Sequence, residues 1–290
     1  MDKYIEFKRR RELGETLTDT FKFVRRNFKP LFQLLVKTVA IPFILLLFAI
    51  GFYTYASADF TGFGWIDNEF LNLGTFFISA GLLAISGFLY YSLLFGSVLH
   101  FIRSYTENKG VVDQQAVIQR VKRDLGKLFG LGVISVIMLV FGFLLCVFPG
   151  IYLYVPLSMV FALAVFRNQG ISDSISNSFK LIHGEWWMTF ITLFVIGLII
   201  GIIGFVFQIP ALIYTMVKTF TAMDQGNFGD PRQLVDGVYI ALSVISSAVQ
   251  YFLYLFTVIA TAFIYFDLNE KKNNTGTLER IDALGEDRHA

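Results

Sequence analysis

Between Lys127 and Arg167 lie 39 consecutive residues, Leu128 to Phe166, without one charged side chain. A helix needs ~20 apolar residues to cross the ~30 Å hydrocarbon of a bilayer, so this run is long enough for two crossings. Pro149-Gly150 sits near its middle, where a helix is most easily broken and reversed. The pattern predicts a tight hairpin of two spans, about 128–148 and 150–166. Four more stretches are membrane-length: about 31–55, 73–102, 187–208 and 238–266. The expected fold is an all-α integral membrane protein with six transmembrane helices in a single domain, 1–270, followed by a polar, flexible tail, 271–290.

Composition agrees. Only 16% of the 290 residues are charged, 33 are Phe, and the mean hydropathy is +0.62. A soluble domain is ~25% charged, so lipid is the expected solvent for much of this surface. A net charge of +2 gives no case for a nucleic-acid partner. The one cysteine, Cys146, reads as a small buried hydrophobe.

The placement of charge predicts orientation, because Lys and Arg concentrate in cytoplasmic loops close to the membrane. Nine basic residues precede residue 31, and the second loop, 103–127, holds six more. The first loop, 56–72, has none and carries Asp59, Asp67 and Glu69 instead, and the Pro149 hairpin has none either. With Lys37 snorkelling to the inner interface, 22 of 24 basic residues fall on one side, which makes both termini cytoplasmic.

Two to three amphipathic interfacial helices are expected on that side. Leu17, Phe21, Val24 and Phe28 recur at steps of four, three and four before the first span. Ile175, Phe179, Ile182 and Trp186 repeat those steps before the fifth, and Ile118, Val121, Leu125 and Leu128 make a similar stripe before the third. The unit is an interfacial helix followed by two spans, which suggests a threefold internal repeat. The conformation of 209–232 is left open, since apolar residues there alternate with Asp-Gln-Gly and Gly-Asp-Pro turn signals.

Two groups of residues are candidate sites. Arg9, Arg10, Arg11, Lys22, Arg25, Arg26 and Lys29, with Lys122, Arg123 and Lys127, would hold the inner helices to an anionic leaflet at ~1 kcal/mol each. Topology determination explains the same residues, and both readings can hold together. Gly197, Gly201 and Gly204 form a small-residue stripe for helix packing, within the chain or against another copy.

Signs of chemistry are few. Intramembrane charges, the usual pointers to transport or catalysis, are nearly absent. Gln33, Gln208 and Gln250 suit hydrogen bonds between helices. Asp236 suits the N-terminus of the last helix. His100, His183 and Glu185 have no metal-ligand spacing, and no nucleophile or nucleotide motif occurs. No catalytic residue, metal or cofactor is assigned.

The run Pro149-Gly-Ile-Tyr-Leu-Tyr-Val-Pro-Leu-Ser158, then Val165-Phe-Arg-Asn-Gln-Gly170 and Ser174-Ile-Ser-Asn-Ser-Phe-Lys180, resembles a pattern in uncharacterised multi-spanning proteins. These are the YciC-like proteins and the membrane domain attached to some glycerophosphodiester phosphodiesterases. Leu13-Gly-Glu-Thr-Leu-Thr-Asp-Thr-Phe21 is similar to that family's first helix. The resemblance implies a helical protein of the bacterial cytoplasmic membrane and no catalytic residues in this domain. The first functional expectation is a non-enzymatic scaffold, lipid organiser or accessory subunit of another membrane complex. The alternative is a transporter or channel for a lipid or small amphiphile, and a lipid-modifying enzyme ranks last.

Overall fold

The computed structural model describes residues 4–61, 69–224 and 234–278, and these residues contain helices and no strand. In order they are α1 (Leu13–Thr38), α2 (Ala40–Thr61), α3 (Glu69–Glu107), α4 (Gln114–Leu145), α5 (Val147–Leu157), α6 (Val160–Phe166), α7 (Ile171–Ile182), α8 (Trp186–Asp224) and α9 (Gly237–Asn273). Six segments are long and apolar enough to cross a membrane: α2, α3, α4, α5–α6 together, α8 and α9. In the apolar stretch of α2 only 22% of residues are buried, and Ile41, Leu145 and Phe148 are each more than four-fifths exposed. Such surfaces need lipid around them, so the chain is a multi-pass membrane protein.

Prolines explain where the helices break. A helical proline cannot donate to the carbonyl four residues back and its ring crowds that carbonyl. Pro42 therefore ends α1 at Thr38, and α2 restarts at Ala40, so the predicted first span, 31–55, begins too early: residues 31–38 belong to α1. Pro149 acts the same way on Leu145. The reversal falls at Cys146, where the backbone is extended, and Pro149 sits in the first turn of α5. Pro156 frees the carbonyl of Tyr152, and the Trp186 indole donates to it at 3.2 Å.

Other differences follow from continuity. The second repeat unit has no break between its amphipathic segment and its span, since α4 is one helix. Residues 209–224, left open from sequence, continue α8 through Pro210. Residues 225–233, 62–68 and 279–290 lie outside the described residues. Lys271 to Asn273 form the last turn of α9, and 275–278 are helical. The Glu270 carboxylate holds this end by accepting from the backbone N–H of Gly276 (2.7 Å) and of Thr277 (3.0 Å). Polar composition alone therefore misplaces the start of the tail.

Contacts divide the chain into two compact units. The first comprises the described parts of 1–38, 91–197 and 255–290. Its core is aromatic: Phe7 stacks on Phe263 at 4.3 Å, and Phe23 meets Phe7 and Tyr105 edge-on at 5.2 Å each. Close helix crossings use glycine. A Cβ on Gly142 would lie 3.2 Å from Gly150 Cα, and one on Gly150 would lie 2.4 Å from the Phe143 ring, which brings α4 and α5 together. Gly184, at φ +86°, turns the chain after α7 in a conformation that few other residues adopt.

The second unit comprises 39–90 and 198–254. Tyr90 packs on Tyr251 at 5.6 Å and donates its hydroxyl to the Tyr251 carbonyl at 2.8 Å. Ser246 donates to the Phe207 carbonyl at 2.7 Å, in the turn loosened by Pro210. In both units small hydroxyls are the main buried polar groups of the spans, for example Ser86, Thr192 and Thr261, each bonded to a carbonyl of its own helix. That inventory suits helices packed in lipid.

Candidate functional site

The basic residues predicted to meet lipid separate by environment. On α1, Phe23, Val24, Leu31, Leu34 and Leu35 face inward. The opposite face is exposed, with Phe21, Phe28 and Phe32 showing 42%, 48% and 46% of their surface. These rings follow steps of seven and four and form one strip of the helix. Lys22, Arg26 and Lys29 form the neighbouring strip, all exposed, with Arg25 at the boundary. An exposed face with rings on one edge and cations on the other suits a helix lying in headgroups. Lys37 reaches Gln114 Oε1 at 3.4 Å, beside the start of α4.

Arg11 is a correction. Its side chain is fully buried, with the guanidinium 4.6 Å above the Phe263 ring. It donates to Asp19 (3.0 Å), to the Phe7 carbonyl (2.7 Å) and to the Glu6 carbonyl. Arg9 also serves Asp19, at 2.9 Å, and Arg10 bonds Asn274 at 3.1 Å. Burial alone would raise the Asp19 carboxyl, but the hydrogen bonds from Arg9 and Arg11 outweigh it and hold it below the usual carboxylate range. Arg11 therefore builds the fold and meets no lipid.

The three basic residues of α4 divide similarly. Lys122 and Arg123 are exposed, although Arg123 leans on Asp124 at 3.3 Å. Lys127 is partly covered and donates to the Ala164 carbonyl at 3.2 Å. It thereby caps the C-terminal end of α6, where a cation offsets both the unpaired carbonyls and the helix dipole. The same logic places Lys272 on the carbonyls of Lys180 and His183, at the end of α7. Glu185 pairs with Lys271 at 3.1 Å, and Lys271 reaches Asp267 at 3.1 Å. His100, fully buried, lies 3.1 Å from Asp124, joining α3 to α4.

Within the chain, the glycines of the stripe differ in what they meet. A Cβ on Gly197 or Gly201 would meet nothing within 4 Å, whereas one on Gly204 would lie 1.6 Å from Gln250 Oε1. Gly204 and Gly201 instead help to line a cleft of about 440 Å³ in the second unit, with Gln208 on α8 and Ser246, Ser247, Gln250 and Tyr254 on α9. Gln250 is near the centre of the predicted sixth span, so the cleft places amides and hydroxyls well inside membrane-spanning helices. Beyond the spans, Asp236 caps α9 by accepting from the Tyr239 N–H at 2.9 Å. Hydrogen bonds from Lys218 and Tyr214, both 2.6 Å, together with that cap hold its carboxyl well below the usual range.

Sequence spacing had no signal for the cleft or for the pairings of Asp267 with the Arg11 N–H and of Glu185 with Lys271, because each joins segments distant in the chain. The Asp19 pairing is local, but no helical spacing links it to Arg9 and Arg11. No family model matches this chain, and neither does any curated protein or solved structure. Among the described residues no group of His, Cys, Asp and Glu could hold a metal ion.

Proposed function

We propose that this chain is a non-enzymatic organiser of anionic lipid, serving a larger assembly of the bacterial cytoplasmic membrane with both termini in the cytoplasm. The carrying observation is the exposed face of α1, where Phe21, Phe28 and Phe32 border Lys22, Arg25, Arg26 and Lys29. Rings immersed among acyl chains would fix the depth of the helix while the cations gather acidic headgroups at ~1 kcal/mol each. The strong basic bias of the loops on one side supports the orientation, and the resemblance to YciC-like proteins fits the bacterial location. The test is lipid retention by the purified chain in native-membrane nanodiscs. Replacing Lys22, Arg25, Arg26 and Lys29 with Gln should abolish enrichment of acidic lipid, and raised salt should mimic the change in the wild type. Equal lipid composition around both proteins would refute the proposal. Stoichiometric copurification of a second membrane protein would identify the assembly.

The cleft beside Gln208 and Gln250 favours a second reading, passage or storage of a lipid or small amphiphile. Its polar lining at membrane depth suits a headgroup carried through hydrocarbon. Flux of labelled lipid in reconstituted vesicles, lost on Gln250→Leu, is the result this reading requires.

A further inference from the structure

A second cavity, of about 500 Å³, opens in the first unit at neighbouring ends of three spans. Its wall carries Lys8 from the N-terminal segment, Arg103 near the end of α3 and Arg167 just after α6, against one carboxylate among the described residues, Glu107. That carboxylate is already engaged twice, by Arg103 at 2.8 Å and by Arg120 at 2.9 Å. Two guanidinium groups and an ammonium thus face the cavity.

Both arginines are held in place by part of their donor set. Arg103 also gives one nitrogen to the Val165 carbonyl at 2.8 Å. Arg167 donates to Asn269 Oδ1 at 2.8 Å and to the Tyr265 hydroxyl at 3.3 Å. One terminal nitrogen on each, Nη2 of Arg103 and Nη1 of Arg167, makes no hydrogen bond among the described residues. Phe166, stacked on Tyr265 at 5.1 Å, forms an apolar wall. Fixed guanidinium groups with donors to spare, an ammonium nearby and an apolar wall make a receptor for a tetrahedral oxyanion carrying an organic substituent.

We infer that this cavity binds a phosphate ester, with Arg103, Arg167 and Lys8 on the phosphoryl oxygens and the remaining volume taken by the ester group. The volume exceeds what inorganic phosphate alone would fill, and lies in the range of small-molecule sites. The ester is supplied either by an acidic lipid headgroup entering from the membrane or by a soluble sugar or glycerol phosphate. This site is separate from the exposed face of α1 and stands if that face fails to gather lipid.

The test uses the full chain in phosphatidylcholine nanodiscs. In one arm glycerol 3-phosphate is titrated by calorimetry, and in the other phosphatidylglycerol is included and lipids retained after detergent exchange are counted by native mass spectrometry. Saturable binding in the first arm identifies a soluble ester, and one tightly held acidic lipid in the second identifies a headgroup. Either should weaken about tenfold in Arg167→Gln and in Lys8→Gln, as loss of one charge-assisted contact predicts. Binding in neither arm, or unchanged binding in the two variants, overturns the inference. So does loss of binding in the α1 quadruple variant with Arg167 and Lys8 intact, since that would place the ligand on the exposed face.

Discussion

Arg11 and Arg25 have the same side chain and opposite fates. Arg25 is exposed on α1, whereas Arg11 is enclosed by Asp19, Phe263 and two backbone carbonyls. Removing one partner of a buried, bonded charge leaves the other uncompensated, at a cost of about 3 kcal/mol. Arg11→Ala should therefore lower the thermal unfolding temperature in detergent sharply, while Arg25→Ala should leave it nearly unchanged. Asp19 adds a pH dependence. Its folded carboxyl titrates below its unfolded value of ~3.9, so its contribution is complete at neutral pH and is lost as pH falls through the folded value. The stability gap between wild type and Asp19→Asn should accordingly be constant from neutral pH downward and close only in strong acid. A gap that instead widened on acidification would exclude this account. Nothing in the spacing of basic residues distinguishes Arg11 from Arg25. The difference lies in how the segment before α1 folds around the Arg11 guanidinium, with Phe263 of α9 closing over it.

At the scale of elements, the six spans are legible because a bilayer imposes a length and forbids charge. Their ends are less legible, because an apolar stretch can continue a neighbouring helix, as 31–38 continues α1. Proline resolves two of these ends by one rule: Pro42 and Pro149 each stand three residues after the break they cause. The α4–α5 hairpin shows how tightly such a break is then packed. A methyl group on Gly150 would overlap the Phe143 ring, and overpacking of this kind costs about 1–3 kcal/mol. Gly150→Ala should destabilise the protein by about that amount in chemical or thermal unfolding. Adding Phe143→Ala should recover part of the loss, because it opens the volume the methyl needs. Independent, additive effects of the two changes would show that the helices do not meet there.

For the whole molecule, the hydrogen bond between Arg10 and Asn274 joins the segment before α1 to the end of α9, as the proposed even number of crossings requires. Cys146, exposed at the turn between α4 and α5, lies at the far end of α4 from Lys122. A membrane-impermeant maleimide should label Cys146 in intact cells. In a Cys146→Ser background, Lys22→Cys should be labelled only after the cells are opened. The reverse pattern would invert the topology. The cavity of the first unit, by contrast, was hidden from sequence. Lys8, Arg103, Arg167 and Asn269 stand on four separate segments, and only the packed ends of the spans bring them to one wall.

The seal between Phe7 and Phe263, with Arg11 donating its backbone N–H to Asp267 at 2.7 Å, also sets a timetable. A ribosome makes residues 5–11 long before residues 263–277, so the early segment must wait for Phe263 and Asp267 while every crossing is threaded. The part of the molecule translated ahead of all the spans is thus among the last to find its place. Arrival of α9 is what closes the aromatic core around Phe7 and Phe23.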